Sequence, residues 1–397
     1  MTQATDTFLE TLSDLIAIPS CSDAAGGNEA AVQAYVADQF RSAGARVRTF
    51  DATEIDGFLD HPLCYGPDRN YRDRPTVIAE VGPADKPALL VLAHSDTVSM
   101  NNNPALWTIT EPFVPLIKDN RLYGRGANDD KWGVACLIHI LRALQADGVP
   151  LRKRLVFAST VDEENGVGNG VLLLHLADLG AEAALYLDGG DHELLIGNLG
   201  GSTMELHPPA RTDHEALVAL ESHFVDACNR ISAERRPLFS GPWQDNEAAD
   251  RSVTPRLMEE GYIALYFYTL PDEDGAAFEQ QLEGMARDIL GNQADQFRMS
   301  THTPWFEPTL LDPGHPLVNL VAGAYAAVRN EPAKVTTVSK QDAFVFRRYG
   351  LPTVAYGPGP TRGHGAYHQP DEAIDIDDAM AGFQVAHRAV LDWLGKD

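Results

Sequence analysis

Pro87-Ala-Leu-Leu-Val-Leu-Ala93-His94-Ser95-Asp96 is the stretch whose reading decides the fold. Its first seven residues form a short, continuous apolar run, the pattern of a strand buried on both faces in a parallel sheet. The run stops at a histidine. In open α/β sheets, ligand and catalytic groups gather just past the carboxyl ends of strands, so His94 and Asp96 stand where a site would be built. One residue separates them, so in extended backbone both side chains leave on the same face. An imidazole beside a carboxylate is also the pair that orients a metal-ligating histidine and fixes its tautomer.

Outward from this strand, apolar residues at helical spacing predict helices over residues 6–18, stopped by Pro19, and 28–41, stopped by Gly44. Strands are expected at 46–50, 76–80 and 88–93, the last two as neighbours. Downstream come a hairpin within 113–123, a helix over 131–146, a strand at 154–160, a helix over 167–179 and a strand at 184–187. This alternation predicts an α/β fold whose sheet is mixed but largely parallel and flanked by helices. It breaks near Gly200. From 201 to 303 the order strand, long helix, strand, helix predicts an inserted α+β domain, after which 304–397 returns to the first domain, begun by 1–200.

The chain has 397 residues and a formal net charge of −26. Length favours two domains. An excess of acids argues against nucleic acid and anionic membrane surfaces as partners, since both need clustered Lys and Arg. No apolar run reaches the length of a membrane span. The amino-terminal residues do not read as a secretory signal, and four scattered cysteines read as reduced thiols, so the expected location is cytoplasmic.

Four further segments carry acids or imidazoles just past predicted strands: Asp129 in Gly124-Arg-Gly-Ala-Asn-Asp-Asp-Lys131, Glu163 and Glu164 in Thr160-Val-Asp-Glu-Glu-Asn-Gly166, Asp188, and His368 in His368-Gln-Pro-Asp-Glu372. A lone acid at a strand end is ordinarily a turn or a helix cap. Five such groups past the strands of one sheet point instead to a mixed His and carboxylate donor set, which suits zinc and tolerates manganese or cobalt. A carboxylate can bridge two ions, and one left over can accept a proton from bound water.

In order, His-x-Asp, Gly-Arg-Gly-x-x-Asp-x-Lys, Asp-Glu-Glu-x-Gly, Asp, Gly-x-x-Gly (Gly197 to Gly200) and His-Gln-Pro-Asp-Glu resemble the motifs of the M20 family of co-catalytic metallohydrolases, over nearly the whole chain. The resemblance implies that His94, Asp129 and Asp188 hold one divalent ion and that Glu164, His368 and the bridging Asp129 hold a second. It implies that Asp96 orients His94, that Glu163 is general base and then acid, and that the inserted domain is a lid that often dimerises, giving a homodimer or larger homo-oligomer acting on a small molecule.

The inserted domain departs from the family pattern. His214 stands where family lids carry a histidine that polarises the scissile carbonyl of a partner subunit, but the residues that usually follow it are missing. The family's carboxylate-clamping arginine is replaced by Tyr268, and the usual Gly-Gly-x-Asp appears as Ser339-Lys-Gln-Asp342, with Lys340 as a substituted substrate contact. A tyrosine cannot neutralise a carboxylate, although it can stack on a flat substrate and donate a hydrogen bond. Arg235 and Arg236 are alternative sources of positive charge. The leading expectation is hydrolysis of an amide, by a dipeptidase, carboxypeptidase or N-deacylase. The alternatives are an aminohydrolase acting on an aromatic amine such as an aminobenzoate, and a non-catalytic binding protein.

Overall fold

The computed structural model describes residues 3–99, 106–210, 212–258, 260–301 and 306–395. Contacts divide the chain into two units, one of 1–196, 311–335 and 345–397, the other of 197–310 and 336–344. Residues 336–344, expected with the first domain, therefore group with the second. No helix among the described residues is long and apolar enough to cross a membrane.

The first unit is built on a mixed sheet whose strands include β1 (Arg46–Phe50), β2 (Thr76–Val81), β3 (Ala88–His94), β4 (Arg154–Thr160), β5 (Ala181–Tyr186), β6 (Leu194–Asn198) and β7 (Thr353–Tyr356). Their spatial order is β6-β7-β5-β3-β4-β2-β1. The four central strands, β7, β5, β3 and β4, are parallel, and the outer pairings are antiparallel. Every residue of β3 is buried, as its unbroken apolar run requires. Leu89, Val91 and Ala93 enter a core shared with helices α1 (Gln3–Ala17), α2 (Ala30–Ser42), α3 (Lys131–Ala146), α5 (Pro316–Arg329) and α6 (Ile376–Gly395). On the opposite face lies α4 (Asn169–Leu176), whose Leu174 shares a cavity lining with Leu90.

One expectation is corrected. Strands β2 and β3 are not neighbours, because β4 lies between them, antiparallel to β2 and parallel to β3. A short connection makes a hairpin the obvious local reading, but pairing is decided between strands far apart in sequence, where both faces of β3 can be covered.

A separate three-stranded sheet pairs the hairpin Leu116–Lys118 and Arg121–Tyr123 with the strand Ala373–Asp375. It ties the segment after His368 to the segment before Asp129.

The second unit runs strand Gly200–His207, helix His214–Arg235, strands Val253–Leu257 and Ile263–Thr269, helix Gly275–Leu290, strand Arg298–Thr301. The four strands form an antiparallel sheet with Ile263–Thr269 and Gly200–His207 in the middle, a β-α-β-β-α-β ferredoxin-like arrangement. Phe224 and Cys228 of one helix and Phe278, Leu282 and Ala286 of the other pack on Leu206, Leu265 and Phe267 of the sheet. The two edge strands were not legible in the sequence. One contains Pro255, which belongs at an edge because it cannot donate to a ladder, and the other is only four residues long.

Candidate metal centre

All the candidate donors lie in the first unit. His94 is the last residue of β3 and is completely buried. Its neighbour β4 ends in register with it at Thr160, whose carbonyl oxygen accepts from Ser95 N at 2.9 Å. On the other side Leu187 N donates to Leu92 O at 2.7 Å. The parallel registers thus carry Glu163 and Glu164 past one side of His94 and Asp188 past the other.

Asp129 and His368 arrive by another route. Asp129 follows the three-stranded sheet rather than a strand of the main one, and His368 lies well beyond the end of β7, which corrects the reading of five donors past strands of a single sheet. Glu372 joins the two segments. Its Oε1 accepts from Asn128 N at 3.0 Å and Asp129 N at 3.2 Å, and its Oε2 accepts from Arg125 Nη1 at 2.7 Å. Gly124 N donates to Glu372 O at 2.9 Å, where the sheet begins. Asp371 adds a clamp, accepting from Thr108 N and Ile109 N at 2.9 Å each.

Two groups of side chains result. His94, Asp129 and Asp188 form one, and Asp129, Glu164 and His368 form the other, with one donor atom from each residue lying within 4.8 Å of the rest of its group. Asp129 belongs to both. Its Oδ1 lies 2.9 Å from His94 Nε2 and its Oδ2 lies 3.1 Å from His368 Nε2. His368 Nε2 is also 2.7 Å from Glu164 Oε2. Zinc takes such donors at about 2.0–2.2 Å in tetrahedral geometry, which sets donor atoms roughly 3.3 Å apart, so both groups fit a divalent ion in size and in donor chemistry.

The electrostatics favour the same fit. Burial pushes Asp188 up from the usual carboxylate range, and the charges of Glu163, Asp129 and Glu164 push it further. Burial and then the Asp129 charge raise Glu164 in the same way. Asp129 goes the other way: burial would raise it, but His368 and His94 hold it below the usual range. Several carboxylates that raise one another in a desolvated cleft are the arrangement a cation relieves.

Glu163 stands beside the first group, its Oε2 4.0 Å from His94 Nε2 and its side chain 21% exposed. Burial, with the Asp129 and Asp96 charges, raises it in spite of His94. Asp96 does more than face the imidazole. Its carboxylate is 3.5 Å from His94 Nδ1, which lies closer, at 3.0 Å, to the Asp96 carbonyl oxygen. The carboxylate oxygens accept instead from Glu163 N and Glu164 N, at 3.1 Å each, and from Ser22 Oγ at 3.0 Å. Asp130 caps α3 by accepting from Gly133 N at 3.1 Å, and it also accepts from His94 N at 3.2 Å. Sequence reasoning assigned no role to Asp130 or Glu372. Both lie inside the quoted motifs, and only the fold shows what their oxygens hold.

In the second unit, His214 opens the helix His214–Arg235 and is exposed beside a shallow cavity with His207, Leu217 and Glu260. Tyr268 and Lys340 share another concavity with Ser339, Phe306, Gly200 and Gly201. Lys340 Nζ lies 4.5 Å above the Phe306 ring. Arg235 is paired with Glu273 at 2.5 Å and Arg236 with Asp250 at 2.7 Å.

Residues 90–392 match the family model described as peptidase family M20/M25/M40. The chain belongs to this family. As an M20 member it is a metallohydrolase acting on carbon–nitrogen bonds. It is 23% identical to the N-formyl-4-amino-5-aminomethyl-2-methylpyrimidine deformylase of Bacillus subtilis, over 82% of this chain and 84% of that one. It is 33% identical to a succinyl-diaminopimelate desuccinylase of a Methylobacterium species, over 40% of this chain and only 35% of that protein's length. Among solved structures, human carnosine dipeptidase 1 superposes with a TM-score of 0.74 at 18% identity, covering 99% of this M20 chain and 97% of the dipeptidase.

Proposed function

We propose that this M20 hydrolase cleaves an amide bond of a small substrate, with Glu163 as general base and then general acid. The single observation that carries the proposal is the disposition of Asp129, one oxygen toward His94 and the other toward His368, which suits a carboxylate shared by two ions. His94, Asp129 and Asp188 would hold one ion and Asp129, Glu164 and His368 the other, with zinc, manganese or cobalt suited to the donors. When bound there, a divalent ion polarises the scissile carbonyl and acidifies water. Glu163, raised by burial and still partly open to solvent, takes the proton of the attacking water and delivers it to the leaving nitrogen. Asp96 fixes the backbone of that glutamate and keeps the His94 ring in place.

In this reading the first unit is catalytic and the second is a lid that also joins subunits into a homodimer or larger homo-oligomer. Tyr268 and Lys340 are its substrate contacts, and His214 is a further contact of the same unit. The pyrimidine deformylase, a relative matched over most of its length, supports a small N-acylated substrate with a flat ring, and Tyr268 offers such a ring a stacking partner. Four unpaired thiols support a reducing compartment such as the cytoplasm.

The test combines a variant with a substrate panel of dipeptides, N-acyl amino acids, N-formyl aromatic amines and aminobenzoates. Glu163→Ala is expected to lower turnover by about 10²–10⁴-fold with metal content unchanged by elemental analysis. Turnover confined to aminobenzoates, or survival of activity in Glu163→Ala, overturns the reading.

A further inference from the structure

Behind the Glu163–Glu164 pair lies a buried charge cluster that the reaction above leaves unused. Asp162 immediately precedes the pair, and its side chain is 3% exposed. Its Oδ1 is ion-paired with Arg69 Nη2 at 2.7 Å and accepts from Arg74 Nη2 at 2.9 Å. Its Oδ2 accepts from Arg69 Nη1 and from Asn169 Nδ2, both at 2.9 Å. Arg74 also grips Glu29 by a fork, Nε to Oε2 at 2.9 Å and Nη2 to Oε1 at 2.6 Å, and Glu29 is wholly buried. Arg69 reaches on to the carbonyls of Asn165 at 3.2 Å and Asp23 at 2.7 Å. Two guanidinium groups and two carboxylates therefore meet in the interior with their charges balanced.

The loop is shaped around this contact. Asp162 adopts a left-handed backbone conformation, φ 67°. A Cβ added at Gly166 would stand 1.9 Å from the Asp162 carbonyl oxygen and 2.6 Å from its Oδ2, so no larger residue fits there. The peptide units of Glu163 and Glu164 are thus held twice, by the Asp96 carboxylate that takes their N–H groups and, one residue earlier, by the guanidinium groups on Asp162.

We propose that Arg69 and Arg74 are positioning residues for the catalytic glutamate pair, acting through the Asp162 carboxylate to set where Glu163 and Glu164 stand against the donor groups. The inference rests on the reading of Glu163 as the base. Fold stability alone accounts poorly for the cluster, because a buried ion network is commonly no more stable than apolar packing of the same volume. What a bidentate guanidinium supplies beyond charge is a fixed direction, and a displacement of about 1 Å at a reacting group can cost about 10² in rate.

The experiment compares Arg69→Lys, Arg69→Met, Glu163→Gln and the double variant Arg69→Lys/Glu163→Gln in the full chain at saturating cobalt(II), with the fastest N-formyl aromatic amine or dipeptide of the panel as substrate. Arg69→Lys is expected to lower kcat about 10-fold or more with KM little changed, and Arg69→Met further. Cobalt(II) affinity, read by visible absorption, should fall about 10-fold, as for outer partners of metal ligands, and amide hydrogen exchange should quicken at 161–166 but not along β3. At saturating cobalt(II), where weakened metal binding is made up, the lysine change should cost kcat nothing more in the Glu163→Gln background, because the remaining effect passes through the base. Should the arginine variants fail to fold, Asp162→Asn keeps the shape, removes the charge and carries the same expectations. An unchanged kcat in Arg69→Lys, or an equal further loss in the Glu163→Gln background, overturns the inference alone. Full activity in Glu163→Gln overturns it together with the reading beneath it.

Discussion

Asp129 is the residue on which the two donor groups depend. Replacing it with Ala removes one oxygen from each group, whereas replacing His368 removes a donor from one group only. Titration with zinc is therefore expected to show both equivalents weakened in Asp129→Ala, and one of two weakened in His368→Ala. Equal loss in the two variants would mean that the carboxylate is not shared. Glu163 and Glu164 show how neighbours in sequence part in environment: Glu164 has its side chain 2% exposed and touches His368, while Glu163 stays 21% exposed beside His94. The proposed ligand and the proposed base therefore differ in burial and contact, although the two side chains are the same.

At the scale of elements, helix α3 holds much of the first unit together and carries a titratable group in its packing against α1. His139 Nε2 lies 2.9 Å from Thr11 Oγ1, and its ring sits 5.2 Å from that of Phe8. Burial, with the Arg142 charge, pulls its pKa down from 6.5 to about 4. A histidine whose folded pKa is depressed stays neutral in the native state while the unfolded chain takes up a proton, so its contribution to stability is intact above about pH 6.5 and is lost as pH falls toward 4. Urea denaturation is expected to show about 1–2 kcal/mol of this loss between pH 7 and pH 5, and His139→Gln should flatten that part of the slope. An identical pH dependence in the variant would show that another group is responsible. The edge strands Val253–Leu257 and Arg298–Thr301 make the complementary point. An edge strand needs apolar residues on fewer sides, so it leaves a weaker imprint on the sequence than β3, which is enclosed throughout.

For the molecule as a whole, every candidate metal donor belongs to the first unit, so metal binding and the stability of that unit are linked. A ligand present at about 100 times its Kd stabilises by about 2.7 kcal/mol, which for a unit of this size corresponds to a rise in Tm of about 5 °C. Calorimetry of the metal-loaded protein before and after chelation is expected to show a fall of that order together with loss of turnover, and both should return with zinc, manganese or cobalt. Chelation that stops turnover without moving any transition would place the essential ion outside these groups.

What the sequence by itself determined was local. The apolar runs of β3 and β4 are legible because a strand enclosed by neighbours is apolar at nearly every position, and helix α3 is legible because its apolar stretch is too long for a strand. The donor residues were legible as types and as motifs in order. Only the tertiary structure decided that β4 lies between β2 and β3, and that Ala373–Asp375 pairs with Arg121–Tyr123 and so brings His368 to Asp129. It also decided that Asp162 is gripped by Arg69 and Arg74 from a segment with no regular structure to announce it. The reason is physical: periodicity and capping are written within a few residues, whereas strand order and ion pairing between distant segments depend on which surfaces remain to be covered once the whole chain has collapsed.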